Sequence, residues 1–179
     1  MIRTLSIASV LSFAVLSMGT ALAQEHTPAP AAPAAEKKPG PADGFNIHVM
    51  ALHKFEDGTV HGPYHHYCKS ISPEVLQCLL FESTDPNARL TDVEYFVAKS
   101  VSRAHVPLKT WNKYYHDHEV EIATGRVQVL DMPDAQVKEV AAAAAQTDGI
   151  IFHLWPDGAK APTGVVGHPQ SVGHKHRTK

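Results

Sequence analysis

Eight side chains able to ligate a metal or carry a proton fall into three short clusters: His65-His66-Tyr67-Cys68, His116-Asp117-His118 and His153. Imidazole and thiolate are the groups that hold borderline transition metals such as zinc, nickel and copper. On a strand, alternate residues share a face, so His66 and Cys68 point one way while His65 and Tyr67 point the other. A register slip of one residue would exchange His66 for His65. His116 and His118 share a face only if the helix before them stops near Tyr115, because on a continuing helix the two rings diverge by about 200°. His153 lies in the apolar run Ile150–Trp155, and Glu94 lies between Val93 and Tyr95. A buried ring or carboxylate needs a partner. The expectation is that His66, His116, His118 and His153 gather round one pocket with Glu94 close by. The plainer alternative is a set of hydrogen-bonded sheet histidines and a solvated helix end.

The elements that would position these residues follow a marked N-terminus. Arg3, the apolar run Leu5–Leu16 and Ala21-Leu22-Ala23 have the layout of a secretory signal peptide over residues 1–23. The run is short of the roughly 20 residues a membrane span needs. Cleavage before Gln24 would place the protein in the periplasm or outside the cell, with no transmembrane segment in the mature chain. Residues 24–43, rich in Pro and Ala and without a large apolar side chain, read as a disordered tether. Residues 44–167 suffice for one domain with its own core. The basic, histidine-containing stretch 168–179 reads as a solvated tail. The formal charge of −2, or −3 once Arg3 leaves, excludes a nucleic-acid stripe.

Within the domain, Phe45–Phe55 alternates at Ile47, Val49 and Ala51 and is closed by Glu56-Asp57-Gly58. Leu76–Phe81 is a short buried strand. Leu90–Val97 sets Val93, Tyr95 and Val97 on one face and Asp92, Glu94 and Phe96 on the other. Pro107 to His116 is helical in spacing, and a further strand begins at Val127. Asp134–Gln146 carries an N-cap candidate in Asp134 and a run of five alanines, and Gly149 stops it before the strand Ile150–Trp155. Strands and helices interleave without βαβ spacing, so the fold class is α+β: one domain, mainly antiparallel sheet with a few packed helices.

Cys68 has a competing use. The chain has two cysteines, and an even count in an oxidising compartment favours pairing. A hairpin turning at Ile71–Pro73 would place Cys68 opposite Cys78. Against it, Ser72-Pro73-Glu74 also reads as a helix start, which would rotate Cys78 away. The expectation is a Cys68–Cys78 disulfide, with Cys68 as a metal ligand the alternative.

HHYC at 65–68, QC at 77–78, NARLTDVEY at 87–95, HDHEVEI at 116–122 and FHLW at 152–155 followed by a PTG turn together resemble the oil body-associated protein family, also called DUF1264. The family pattern falls on His65, His66, Cys68, Gln77, Cys78, Glu94, Tyr95, His116, His118, Glu121 and His153. It brings in Glu121 as a further supporting ligand, and it implies association with lipid bodies but no settled activity. The signal peptide and tether are departures from the plant pattern. Three functions follow: a metal-binding exported protein, with Glu94 or Glu121 as a base beside a metal-bound water if it is an enzyme; a lipid-surface or interaction module using Trp111, Tyr114, Tyr115 and Trp155 as an exposed patch; or a structural domain with a disulfide. No GxSxG elbow, P-loop or dinucleotide fingerprint is present, and the oligomeric state is open.

Overall fold

The alternation of apolar and polar residues is resolved into eight strands and four helices. The computed structural model describes residues 38–179; the signal peptide and most of the tether expected at the N-terminus lie outside the described residues. The strands are β1 (Ile47–Lys54), β2 (Val60–Ser72), β3 (Val75–Phe81), β4 (Leu90–Ala98), β5 (Tyr115–Asp117), β6 (Val127–Leu130), β7 (Thr147–His153) and β8 (Gln170–Ser171). The helices are α1 (Lys99–His105), α2 (Leu108–Tyr114), α3 (His118–Ala123) and α4 (Asp134–Ala144). One sheet in the order β5-β7-β4-β3-β2-β1-β6, with β8 also on β1, curls into a half-barrel whose pairings are antiparallel. The mainly antiparallel expectation holds.

The β2–β3 hairpin carries the register that symmetry about residues 71–73 predicts: His66 opposite Leu80, and Cys68 opposite Cys78. Cys68 and Cys78 are disulfide-bonded, which removes Cys68 from the metal ligands. The helix start at Ser72-Pro73-Glu74 does not form, because ladder pairing continues to Ser72 and Val75. His61-Gly62-Pro63 lies inside β2 with a cis Gly62–Pro63 bond. Cys68, Cys78, Leu80 and Phe96 form the buried apolar core, against which Ile47, Leu76 and Ala144 pack. Each fully buried large side chain of this kind contributes about 1.5–3 kcal/mol.

Three boundaries differ from the sequence expectation in ways that matter to the site. The helix after Pro107 stops at Tyr114, and three residues of strand follow before α3 opens at His118. The long helix ends at Ala144 rather than Gln146, and Asp134 lies inside its first turn behind Pro133, where a carboxylate favours the helix dipole without capping it. Strand β7 therefore starts at Thr147 and takes in Gly149. The stretch after residue 167 is no solvated tail: Ser171 is fully buried, β8 pairs with β1, and Arg177 exchanges hydrogen bonds with Asn112. Helix α1, absent from the sequence reading, has no side-chain cap and buries only Ser102, so neither a cap nor an apolar stripe marks it.

Candidate metal centre

Strand β5 is fixed from behind by a buried carboxylate. Asp148 accepts hydrogen bonds from Ser102 Oγ at 2.6 Å, Trp111 Nε1 at 2.8 Å and the Arg103 guanidinium at 2.8 and 3.1 Å. Burial works against its charge, but these donors prevail and hold its carboxyl below the usual carboxylate range. Asp148 pairs in register with Asp117, whose carboxylate binds Lys99 and Arg103 at 2.8 Å each and caps α3 through the Glu119 N–H. With Asp117 held on that side, His116 and His118 both turn to the concave face of the sheet.

Six buried residues meet there. His116 Nε2 lies 3.1 Å and His118 Nε2 3.2 Å from Glu94 Oε1, and the two Nε2 atoms are 3.2 Å apart. On the other side of the same carboxylate, Glu94 Oε2 is 3.2 Å from His66 Nε2, which in turn is 3.2 Å from His53 Nε2. Ligand atoms of Glu94, His116 and His118 form one group within 4.8 Å of one another, and those of His53, His66 and Glu94 form a second. Glu121 stands beside them, its Oε2 3.8 Å from His116 Nε2. All six side chains are at most 3 % exposed and line a cavity of about 10 Å³, room for one ion or water.

His116 can lean over β7 because its partner there is Gly149. A Cβ on Gly149 would stand 2.4 Å from His116 Nε2 and 2.5 Å from Glu94 Oε1. The glycine is what lets an edge-strand histidine reach a carboxylate two strands away.

Hydrogen bonding fixes the state of two of the rings. His66 Nδ1 is 3.0 Å from the Tyr64 carbonyl, which can only accept, so Nδ1 carries the hydrogen. Thr147 Oγ1 donates to the Ala144 carbonyl at 2.7 Å and therefore accepts from His118 Nδ1, also at 2.7 Å. In both neutral rings Nε2 is then a bare lone pair aimed at a carboxylate oxygen 3.2 Å away. Acceptor against acceptor is repulsive unless a cation, proton or metal, sits between them. The electrostatics follow this frustration. Burial disfavours a charged His66, yet the Glu94 carboxylate raises it above the ordinary histidine value. Burial also opposes the charge on Glu94, but the imidazoles of His116, His118 and His66, which donate to it when they carry a proton on Nε2, pull it well below the usual range. His53 is held well below its ordinary value, first by burial and then by His66. Glu121 is pushed up to about 7, chiefly by burial.

Of the residues singled out in sequence, His66, His116, His118, Glu94 and Glu121 come together. His153 does not join them: its Nδ1 bonds Asp92 Oδ1 at 2.6 Å, its register partner on β4. His65 points to the other face, where its Nδ1 meets His48 Nε2 at 3.0 Å and His48 Nδ1 meets Asp131 at 2.5 Å. His53 was missed, although it shares the parity of Ile47, Val49 and Ala51. The four aromatics expected as an exposed patch do not form one, since Trp111 is fully buried and Tyr114, Tyr115 and Trp155 are half-buried. Among the described residues no helix is long and apolar enough to cross a membrane.

The family model for a protein of unknown function, DUF1264, matches residues 39–176. Oil body-associated protein 1B of Arabidopsis thaliana is 30% identical over 116 residues, covering 64% of this chain and 47% of its own. Oil body-associated protein 2B of Zea mays is 27% identical over 147 residues, or 82% and 53% of the two chains, and protein 1A of Zea mays is 28% identical over 120 residues, or 64% and 48%. The chain thus spans about half the length of these relatives, and no solved structure matches it. A match across 39–176, the whole of the sheet and its helices, makes this chain a member of the DUF1264 family.

Proposed function

We propose that this protein is exported and binds one divalent transition-metal ion through Glu94, His116 and His118, with His66 and His53 on the far oxygen of Glu94 as the remaining imidazoles within reach. The observation that carries the reading is the facing of buried Nε2 atoms on a carboxylate while the outer Nδ1 atoms of His66 and His118 are already engaged as donors. Metal–nitrogen distances near 2.0–2.1 Å place tetrahedral donors about 3.3 Å apart. The triangle of Glu94 Oε1, His116 Nε2 and His118 Nε2, with sides of 3.1–3.2 Å, fits that spacing. Tyr64 and Thr147 hold the outer nitrogens of His66 and His118 as hydrogen-bonding partners behind metal-binding histidines do. With both sulfurs in the disulfide, the donors are imidazole and carboxylate, which suits zinc, nickel or copper(II) rather than a thiolate metal. Glu94 is taken up as ligand, so Glu121 is the carboxylate left to act as a base.

The test is elemental analysis of protein purified without a histidine tag and reloaded after chelation. Binding of about one ion per chain is expected, with release of protons on binding and weaker binding as pH falls. His118→Ala and Glu94→Gln should each lower metal content while the far-ultraviolet spectrum stays unchanged. Metal-free wild type after reloading, or wild-type content in both variants, would overturn the reading.

A further inference from the structure

Beside the histidines lies a second, larger space. It measures about 350 Å³ and is bounded by the concave face of the sheet and by α4. Its floor is Val49, Leu76 and Phe96, and its roof is Val140, Ala141 and Ala144. The origin is visible in the sequence. The alanine run that makes α4 a strong helix gives it side chains too short to fill the space over the sheet, which only Ala144 meets at the core, and α4 has no fully buried residue. Close-packed interiors hold few voids larger than a water, whereas ligand pockets run from about 300 to 1,000 Å³.

The chemistry of the walls selects the occupant. Most of the lining is aliphatic or aromatic; the polar groups are Glu74 and Gln146, which are exposed, and His118 with Thr147 on one wall. A sugar or nucleotide would bury hydroxyls against Val, Leu and Ala with nothing to receive them. A methylene chain leaves no such debt. His118 is shared by the two spaces: its Nε2 faces Glu94, while its ring lies against Phe96, centroids 3.9 Å apart.

We propose that this cavity binds the chain of a fatty-acid-like amphiphile, its carboxylate left in water at the exposed rim beside Gln146, since His118 and Thr147 have no donor to spare. At about 30 Å³ per methylene-sized group, the space admits a chain of about ten carbons. Neither the seating of the chain nor the place of the head group rests on the metal reading, so metal-loaded and metal-free protein should bind alike.

Calorimetric titration of the full chain with sodium decanoate, in metal-loaded and chelator-treated forms, tests both parts. Saturable binding of one decanoate per chain is expected. Ala144→Phe, which fills the roof, should weaken it by about tenfold or more. If that variant does not fold by circular dichroism, Val129→Phe fills the space from the sheet side and decides. Failure of wild type to bind decanoate, or undiminished affinity in a folded filled variant, would overturn the proposal even if metal is bound. Decanoate binding abolished by filling, in a protein that takes up no metal, would leave the chain site standing and remove the metal centre.

Discussion

Adding one methyl group at Gly149 tests the site's construction without replacing a candidate ligand. The new Cβ would lie 2.4 Å from His116 Nε2, 2.5 Å from Glu94 Oε1 and 2.6 Å from His116 Cε1, closer than Cβ atoms approach anything, so His116 and Glu94 must both move. The backbone of Gly149 is not in the left-handed region, and Ala there would otherwise stabilise by about 0.4–1 kcal/mol through the unfolded chain. Overpacking a buried site costs about 1–3 kcal/mol. The net expectation is a loss of about 1–2 kcal/mol, a fall in Tm of about 4–8 °C for a domain of this size. Displacing two proposed ligands should also weaken metal binding by about 10- to 100-fold, as loss of orienting contacts does elsewhere. Differential scanning calorimetry and competition with a chromophoric chelator read the two effects. Gly167→Ala is the control, since its Cβ would meet His153 Cβ at an ordinary 3.5 Å. A Gly149→Ala protein as stable as wild type and equally good at holding metal would refute the argument that this glycine exists to admit His116.

Thiol titration of the unreduced protein should find no reactive thiol, and Cys68→Ala with Cys78→Ala should cost about 2–3 kcal/mol, the value for closing a loop of this length. Asp148→Asn should cost about 3 kcal/mol at neutral pH by disarming the Arg103, Ser102 and Trp111 donors. Because the folded carboxyl is held below its ordinary value, that stability is present above the ordinary carboxylate range and lost as pH falls through the folded value. Urea titrations of wild type and variant should therefore converge in acid; a gap that widens there would contradict the assignment. Mass spectrometry of the protein recovered from an exporting host should give a mature chain beginning at Gln24, and a chain retaining residues 1–23 would remove the export reading.

What the sequence let one read depended on how local each determinant is. The pairing of Cys68 with Cys78 was legible because a hairpin's register follows from its centre, and a turn at 71–73 leaves little freedom. The H-x-H pair was legible only conditionally: the rings share a face because the helix stops at Tyr114, and its stop depends on Asp117 being drawn to Arg103 and Lys99, residues of a helix the sequence did not announce. His153 looked equivalent to the others because its strand is apolar, but its fate was set by the β4–β7 register, which opposes it to Asp92. Gly149 read as a helix stop for the same reason. Its use becomes visible only once His116 is known to pair with it across strands.

Strand β4 shows where hydrophobicity alone misleads. Alternation separates Val93, Tyr95 and Val97 from Asp92, Glu94 and Phe96, and an apolar rule would bury the first set. The structure buries the second: Asp92, Glu94 and Phe96 are at most 5 % exposed, while Val93, Tyr95 and Val97 stay half-exposed. That inversion is tolerable only because each carboxylate has imidazole in reach, His153 for Asp92 and His66, His116 and His118 for Glu94. These histidines come from three other stretches of chain, none of which marks β4 as their target. A face that spends its burial on acids is one that packing alone would not select, and it is the strongest reason to look for a bound cation at this sheet.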